Sequence, residues 1–518
     1  MNVACRLVEI LEENHITHIF GIPGDQILPL YKALSKSDIR HILTRHEQAA
    51  AHAADAYTRS SSSVGVCMST AGPGALNMIM ASGAAYKDNI PMLIITGDND
   101  TCERNTNVFQ AFPLHDIFSS IVQHSYSPLN GTEAVHALKA ALYELKNNPK
   151  GPVHINLSKD VLLSEEFTDY DLCYLCENDL SAIDDAQKLI SNSQKPLFVL
   201  GAGAISSGKK IQLIAEKYNI PITTTYNARG IISEDNPINL GLTGIRATPR
   251  ARKASYESDC MIVLGSIASE RTFPVLNEDI FIHVNNNKDV LKGKHQIHGN
   301  VDDFLDKIKF REVNWIDDLL KINNQILVEG SDDDLKPQAA IKRILDNFKD
   351  DLFVADAGSH TTFTMLLYNA VHPNHLLFPA ATAPMGYGLP AAIGAAVATG
   401  ERIILVNGDG DFQMNIQELA TLKENNLNVI IFILNNGEYG IIRQWQEQFY
   451  NMDSYQVKLN NPDFIKLSAS YGIDAVQISS LFDLEYFLEK DLKGPLLVEI
   501  KVDGENIPLP DTANESYQ

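Results

Sequence analysis

Apolar runs and polar breaks alternate most regularly in the last quarter of the chain. Ile403-Ile404-Leu405-Val406 is an unbroken apolar run, long enough for a buried strand and too short for a helix core. It breaks at Asn407-Gly408-Asp409-Gly410-Asp411. A helical pattern follows, with Met414, Ile416, Leu419 and Leu422 apolar and Gln417, Glu418, Lys423 and Glu424 polar. Val429 to Leu434 is a second β-rich run, and it stops at Asn435-Asn436. The pattern predicts a strand–helix–strand crossover, which makes the two strands parallel. Asp409 and Asn436 then meet at one sheet edge, where open α/β sheets take their ligands.

The same alternation runs through the rest of the chain. Val3, Leu7, Ile10 and Leu11 recur at helical spacing, and His18 to Phe20 leads as a strand into Gly21-Ile22-Pro23-Gly24-Asp25. After a strand at 39–43, the alanine-rich segment from Arg45 to Arg59 favours helix, with Glu47 in its first turn. Strands are predicted at 64–68 and 91–98, with a Gly72-Pro73-Gly74 turn between them. In the middle they fall at 196–200, 221–226, 260–265 and 281–284, and later at 351–355 and 376–380. The length predicts about three domains. The expected fold class is α/β, with three doubly wound parallel-sheet domains at 1–165, 182–312 and 337–518. An acidic segment (164–181) and a charged one (315–337) read as connectors. The two outer thirds look like two versions of one plan.

Composition narrows the function. The net charge is −23 and no basic run is present, which argues against nucleic acid and anionic membranes as partners. Arg6, Glu9, Glu12 and Glu13 interrupt any signal-peptide layout at the start. Six cysteines are too sparse for a disulfide framework, and Cys173-x-x-Cys176 lacks the second pair that zinc would need. His46, His52, His115 and His124 show no metal-ligand spacing. The expectation is a soluble, cytoplasmic protein.

The polar breaks carry the chemistry. An Asp carboxylate and an Asn amide oxygen are hard donors, and Mg²⁺ takes one or two such protein ligands beside water and phosphate oxygens. Gly408 and Gly410 let main-chain N–H groups approach an anion, and a helix N-terminus follows directly.

A Gly-Asp-Gly break, a helix and a strand ending in Asn-Asn resemble the diphosphate and metal motif of the thiamine diphosphate enzymes. Met385 to Gly394 and Gln444-Trp445-Gln446 are similar to the acetolactate synthase branch, as is Arg45-His46-Glu47-Gln48 with its alanines. The resemblance implies that Asp409, Asn436 and the main-chain carbonyl of Glu438 hold Mg²⁺. It implies that thiamine diphosphate is bound by Pro23, Gly24, Glu47, Gly72, Asn77, Ser359, His360, Ala383, Met385, Gly408, Asp409, Gly410, Asp411 and Asn436. Glu47 would contact N1′ of the cofactor's aminopyrimidine and so promote loss of the C2 proton. Met385 would prop the cofactor into its bent form, and Gln110 and Trp445 would face the acceptor.

The implied activity is decarboxylation of a 2-oxoacid with carboligation, in a homodimer or homotetramer whose sites lie between subunits. A simple 2-oxoacid decarboxylase, a C–C lyase or a non-catalytic binding protein of the same fold are the alternatives. Some members carry FAD in the central domain. Here Asn285 to Asn287 stand where acidic residues are usual. Ala111, Gln123 and Ile267 also depart from the synthase pattern, near where substrate would enter.

Overall fold

A computed structural model describes residues 1–61, 63–104, 106–147, 151–170, 178–324, 328, 330 and 336–509. Cys173, Cys176 and the acidic run 331–334 lie outside the described residues. Eighteen strands form three six-stranded sheets, and every strand pairing recorded is parallel.

The first sheet holds β1 (His18–Gly21), β2 (Arg40–Leu43), β3 (Gly65–Ser69), β4 (Met92–Asp98), β5 (His124–Tyr126) and β6 (Val153–Ser158), in the order β2-β1-β3-β4-β6-β5. The second holds β7 (Pro196–Leu200), β8 (Ile222–Thr224), β9 (Asn239–Leu242), β10 (Cys260–Leu264), β11 (Phe281–Asn285) and β12 (His295–His298), ordered β12-β11-β10-β7-β8-β9. The third holds β13 (Leu352–Ala355), β14 (Leu376–Leu377), β15 (Ile403–Gly408), β16 (Val429–Asn435), β17 (Asp474–Ile478) and β18 (Leu496–Lys501), ordered β14-β13-β15-β16-β18-β17. Counted from its own first strand, the third sheet repeats the order of the first. The central sheet follows the other doubly wound plan, 3-2-1-4-5-6.

Both faces of the first sheet are covered, because successive strand residues point to opposite sides. Ile19, Val66, Met68, Leu93 and Ile95 pack with Leu7, Leu11 and Leu138. Phe20, Cys67, Met92 and Ile94 pack with Ala50, Ala54 and Ala81 on the other side. In the third domain, Val354, Leu405, Ile431 and Leu497 make one core with Leu389, Ile393 and Leu422.

The described residues fall into two compact units, one containing the first and third sheets, the other the central sheet. Within the first unit, the alanine-rich helix (Glu47–Ser60) lies on the helix Gly388–Thr399. A Cβ placed on Gly394 would fall 2.0 Å from the carbonyl oxygen of Ala53, so nothing larger than glycine fits there. A buried polar group bridges the same helices: Tyr387 donates to Asp55 (3.0 Å), and Arg59 bonds both Asp55 and Asp88. The alanines therefore allow one domain's helix to approach the other's main chain.

The predicted helix between β15 and β16 is broken. Residues Asp409–Phe412 make a short helix, Gln413–Glu418 a 3₁₀ turn, and Leu419–Glu424 a second helix. The kink is at Asn415 (φ −133°), whose side chain donates to the Gly386 carbonyl at 2.7 Å. Met414, expected on the apolar face, is turned outward and is 48% exposed. The strand expected over 376–380 is confined to Leu376–Leu377.

Candidate active site

Each candidate residue in the outer domains sits just past the carboxyl end of a strand, or on the helix that follows. Pro23 and Gly24 follow β1, Glu47 follows β2, Gly72 and Asn77 follow β3, and Gln110 follows β4. Ser359 and His360 follow β13, Ala383 and Met385 follow β14, Gly408 ends β15 with Asp409 to Asp411 just after it, and Asn436, Glu438 and Trp445 follow β16. In both sheets the topological switch point falls between the first and third strands, and these loops surround it.

The first-domain set is small and internally bonded. Glu47 is the first residue of its helix, and His46 caps it by accepting the Gln48 N–H at 3.1 Å. Asn77 Nδ2 donates to Glu47 Oε2 at 2.9 Å. Gly74 lies on the same carboxylate: a Cβ there would be 3.2 Å from Glu47 Oε1. Gly72 takes φ +59°, which favours glycine, and a Cβ on it would meet the Gln110 carbonyl at 2.8 Å. Gln110 itself is held at φ +60°, an unusual position for a residue with a side chain. Its loop is tied down by residues that carried no sequence signal. Asn99 Nδ2 donates to the Phe109 carbonyl (3.0 Å), Gln26 donates to Asn99 (3.3 Å), and Thr70 donates to Gln26 (2.7 Å). A Cβ on Gly24 would collide with the Thr70 side chain, so Gly24 joins this set, while Pro23 is exposed beside it.

The third-domain set is more buried and less satisfied. Asp409 is 2% exposed, and its Oδ2 accepts from Asn461 Nδ2 (2.5 Å) and the Gly437 N–H (3.1 Å). Those two bonds orient the carboxylate through one oxygen. Asn461 also donates to Asn435 and accepts from Gln413, so it braces both strand ends. Burial raises the Asp409 carboxyl above its usual range, with the Asn461 bond opposing. Asn436 Oδ1 accepts the Glu438 N–H at 3.1 Å, and the Glu438 side chain is held by Arg443 at 2.7 Å.

Around this pair two buried oxygens, Ser359 Oγ and Asn407 Oδ1, have no hydrogen-bond partner, and two further buried atoms, His360 Nε2 and Asp411 Oδ2, face each other. His360 Nε2 lies 3.2 Å from Asp411 Oδ2. Burial works to lower the His360 imidazole, but Asp411, Asp356 and Asp409 outweigh it and hold the ring above its ordinary value. Asp356 is pushed up to about 7 by burial and by Asp411. It accepts the N–H groups of Gly386 (2.9 Å) and Gly388 (2.6 Å), which fixes the loop bearing Met385. Ala383, exposed on that loop, has φ +46°. A Cβ on Gly408 would be 2.9 Å from Asp411 Oδ1 and 3.2 Å from His360 Nδ1, and one on Gly440 would touch Ser359 and Asn436. Gly408, Ser359, His360, Asp411 and Asn436 are therefore neighbours. Gly410 is filled by the Tyr439 ring and Leu459 instead. Trp445, on the helix Gly440–Gln448, is 39% exposed and Met385 is half-buried.

Among the described residues no three or more His, Cys, Asp or Glu gather as metal ligands. A site of one Asp, one Asn amide and a main-chain carbonyl is of a different kind, suited to a cation that also takes phosphate oxygens. Also among the described residues, no helix is long and apolar enough to cross a membrane.

Comparison with known proteins identifies the three sheets. Residues 1–119 match the thiamine pyrophosphate enzyme N-terminal TPP binding domain, 183–308 the central domain, and 356–500 the C-terminal TPP binding domain. The probable acetolactate synthase large subunit of Methanocaldococcus jannaschii is 33% identical over 98% of this chain and 93% of its own length. The acetolactate synthase large subunits of Porphyra purpurea (34%, covering 96% and 91%) and Cyanidium caldarium (32%, covering 96% and 92%) are similar over the same extent.

Proposed function

The chain belongs to the thiamine pyrophosphate enzymes, and from that premise we propose that it decarboxylates a 2-oxoacid and couples the product to a second carbonyl, as an acetolactate synthase does. The observation that carries the assignment is the contrast at the strand ends. A hydrogen-bonded carboxylate, Glu47, stands on the first domain, and a buried cluster with unpartnered polar atoms stands around Asp409 and Asn436 on the third. Thiamine diphosphate, when bound, would supply the nucleophilic carbon and the electron sink that decarboxylation of a 2-oxoacid requires.

The chain's own residues do the rest. Ser359, His360 and the Gly408–Asp411 main chain fit a diphosphate. Asp409, with one oxygen oriented by Asn461 and Gly437, would hold Mg²⁺ together with Asn436 and the Glu438 carbonyl. Glu47, aimed by Asn77 at 2.9 Å, would exchange the proton that activates the cofactor. Met385 would support the cofactor's central bend, and Gln110 would hydrogen-bond an acceptor oxygen. Trp445 would wall the acceptor side and keep water from protonating the intermediate first. The residues act from two copies, the first domain of one subunit facing the third domain of another.

In the central unit the switch point lies between β7 and β10. There the Gly203 N–H donates to Gly265 at 2.9 Å, and Asn285 donates to Ser266 at 2.8 Å. Those strand-end groups are spent on each other, and the proposed reaction assigns FAD no part.

Product partition from pyruvate tests the proposal. Acetolactate or another coupled product should exceed free acetaldehyde, and Trp445→Leu should shift the ratio several-fold toward acetaldehyde. Acetaldehyde alone from the wild type, across a panel of acceptors, makes the protein a decarboxylase instead.

A further inference from the structure

The turn that presents Glu47 is held from outside its own domain. The helix Leu419–Glu424 and the residue on either side of it, all on the third domain, contact the stretch Arg40 to Arg45. Arg45 N–H donates to Glu418 Oε1 at 2.9 Å. Thr421 donates to Glu418 Oε2 at 2.6 Å and lies 3.3 Å from the Leu43 carbonyl. At the rim, Arg45 pairs with Glu424 (2.6 Å) and Arg40 donates to Asn425 (2.9 Å).

Glu418 is fully buried, which is costly for a carboxylate. The Arg45 guanidinium is engaged by Glu424, so the compensation comes from the Thr421 hydroxyl and from the Arg45 main-chain N–H just before the alanine-rich helix. A helix N-terminus favours negative charge. A buried carboxylate placed there is a poor source of stability compared with an apolar residue of similar volume. What it provides is direction: the Arg45 N–H, two residues before Glu47, is bound to a carboxylate whose other oxygen is held by Thr421.

We propose that Glu418 is a positioning residue for Glu47, a third-domain carboxylate that fixes the main-chain turn from which Glu47 is aimed. The role rests on the assignment of Glu47 as the proton-exchanging group. Burial pushes the Glu418 carboxyl up to about 7, opposed by the bonds from Thr421 and Arg45. The charged and titratable groups facing it are Arg45 and His46 on the first domain and, through Arg45, Glu424 on its own. Above pH ~7 the ionised form accepts at both oxygens; below it one oxygen carries a proton and the grip on the turn loosens.

The test uses Glu418→Ala and Glu418→Gln in the full-length protein, with Glu47→Gln alongside. In cofactor-free protein, backbone amide exchange over residues 43–48 should accelerate in Glu418→Ala. In the holoenzyme, hydrogen–deuterium exchange at C2 of thiamine diphosphate should slow roughly 10- to 100-fold, the range a misplaced group costs. Cofactor affinity should stay within about threefold of wild type, since the diphosphate groups are untouched. Glu418→Gln keeps the shape but is always neutral, so it should exchange faster than Glu418→Ala, at the wild-type low-pH level throughout, and lose the limb near pH 7. Should Glu418→Ala fail to fold, the Glu418→Gln pH profile decides. Wild-type exchange in Glu418→Ala, or a Glu418→Gln profile identical to wild type, overturns the proposal. If Glu47→Gln also exchanges C2 at the wild-type rate, the fault lies with the assignment of Glu47.

Discussion

The first and third domains share one strand order and carry their candidate residues on the same four loops, yet they treat polar atoms in opposite ways. In the first domain the candidate groups are bonded from within, Glu47 by Asn77, Gln26 by Thr70 and Asn99, and the Gln110 loop by Asn99, with Thr44 Oγ1 past β2 the exception. In the third, Ser359 and Asn407 keep buried oxygens without partners around one oriented carboxylate, beside the His360–Asp411 pair. A group that exchanges a proton must point one way before the ligand arrives, so its bonds are made inside the protein. Groups that receive a charged ligand leave their bonding capacity unspent, because a bond already made must be broken on binding. The same fold thus yields an internally bonded carboxyl at one sheet edge and, at the other, the cluster proposed here to take an anion and a metal.

Glu47→Gln should break the first half of the comparison most sharply. The change keeps shape and the Asn77 contact, yet C2 hydrogen–deuterium exchange should slow by ~10²–10⁴, the worth of an acid–base group. Quenched-flow NMR of the cofactor reads it directly, and cofactor affinity should hold.

Asp409→Ala should do the converse. It removes the only carboxylate assigned to the cation, so Mg²⁺-dependent thiamine diphosphate affinity should fall by more than ~10², beyond the loss of an outer partner. Calorimetry checks this, and unchanged affinity would falsify the assignment.

Asn461→Ala sharpens the contrast, since Asn461 touches Asp409 Oδ2 and is not among the groups assigned to the cation or the diphosphate. Mg²⁺ affinity should weaken by ~10–100-fold. An effect as large as that of Asp409→Ala would mean that Asn461 is itself a ligand.

The smallest effect concerns stability and pH. The Glu418 carboxyl titrates near 7 in the folded protein against an ordinary 4.5, so the folded state binds its proton more tightly. That contribution is complete below pH ~4.5 and is lost as pH rises through about 7. Thermal unfolding of the cofactor-free protein should therefore shift downward by a few degrees from pH 5 to 8. Glu418→Gln should flatten this part of the curve. Stability favours the protonated form and the proposed aim of Glu47 the ionised one, as expected where function opposes packing.

Much of the plan was legible in the chain itself. Ile403 to Val406 and Val429 to Leu434 read as buried strands because their side chains are apolar on both faces, a property of local sequence. Glu47 at the head of an alanine-rich helix, and Asp409 and Asn436 at the ends of adjacent strands, follow from strand–helix–strand connectivity. Other features were decided only by tertiary structure. The helix after Asp411 breaks because Asn415 finds a carbonyl 29 positions away, and Met414 is turned outward as a consequence. Asn461 reaches Asp409 across 52 positions, and Glu418 reaches Arg45 across 373. No periodicity or spacing carries such pairings, because a side-chain hydrogen bond depends on where two strand ends or two domains come to lie. Sequence set which loops bear the chemistry; packing decided which of their atoms are aimed and which are left open.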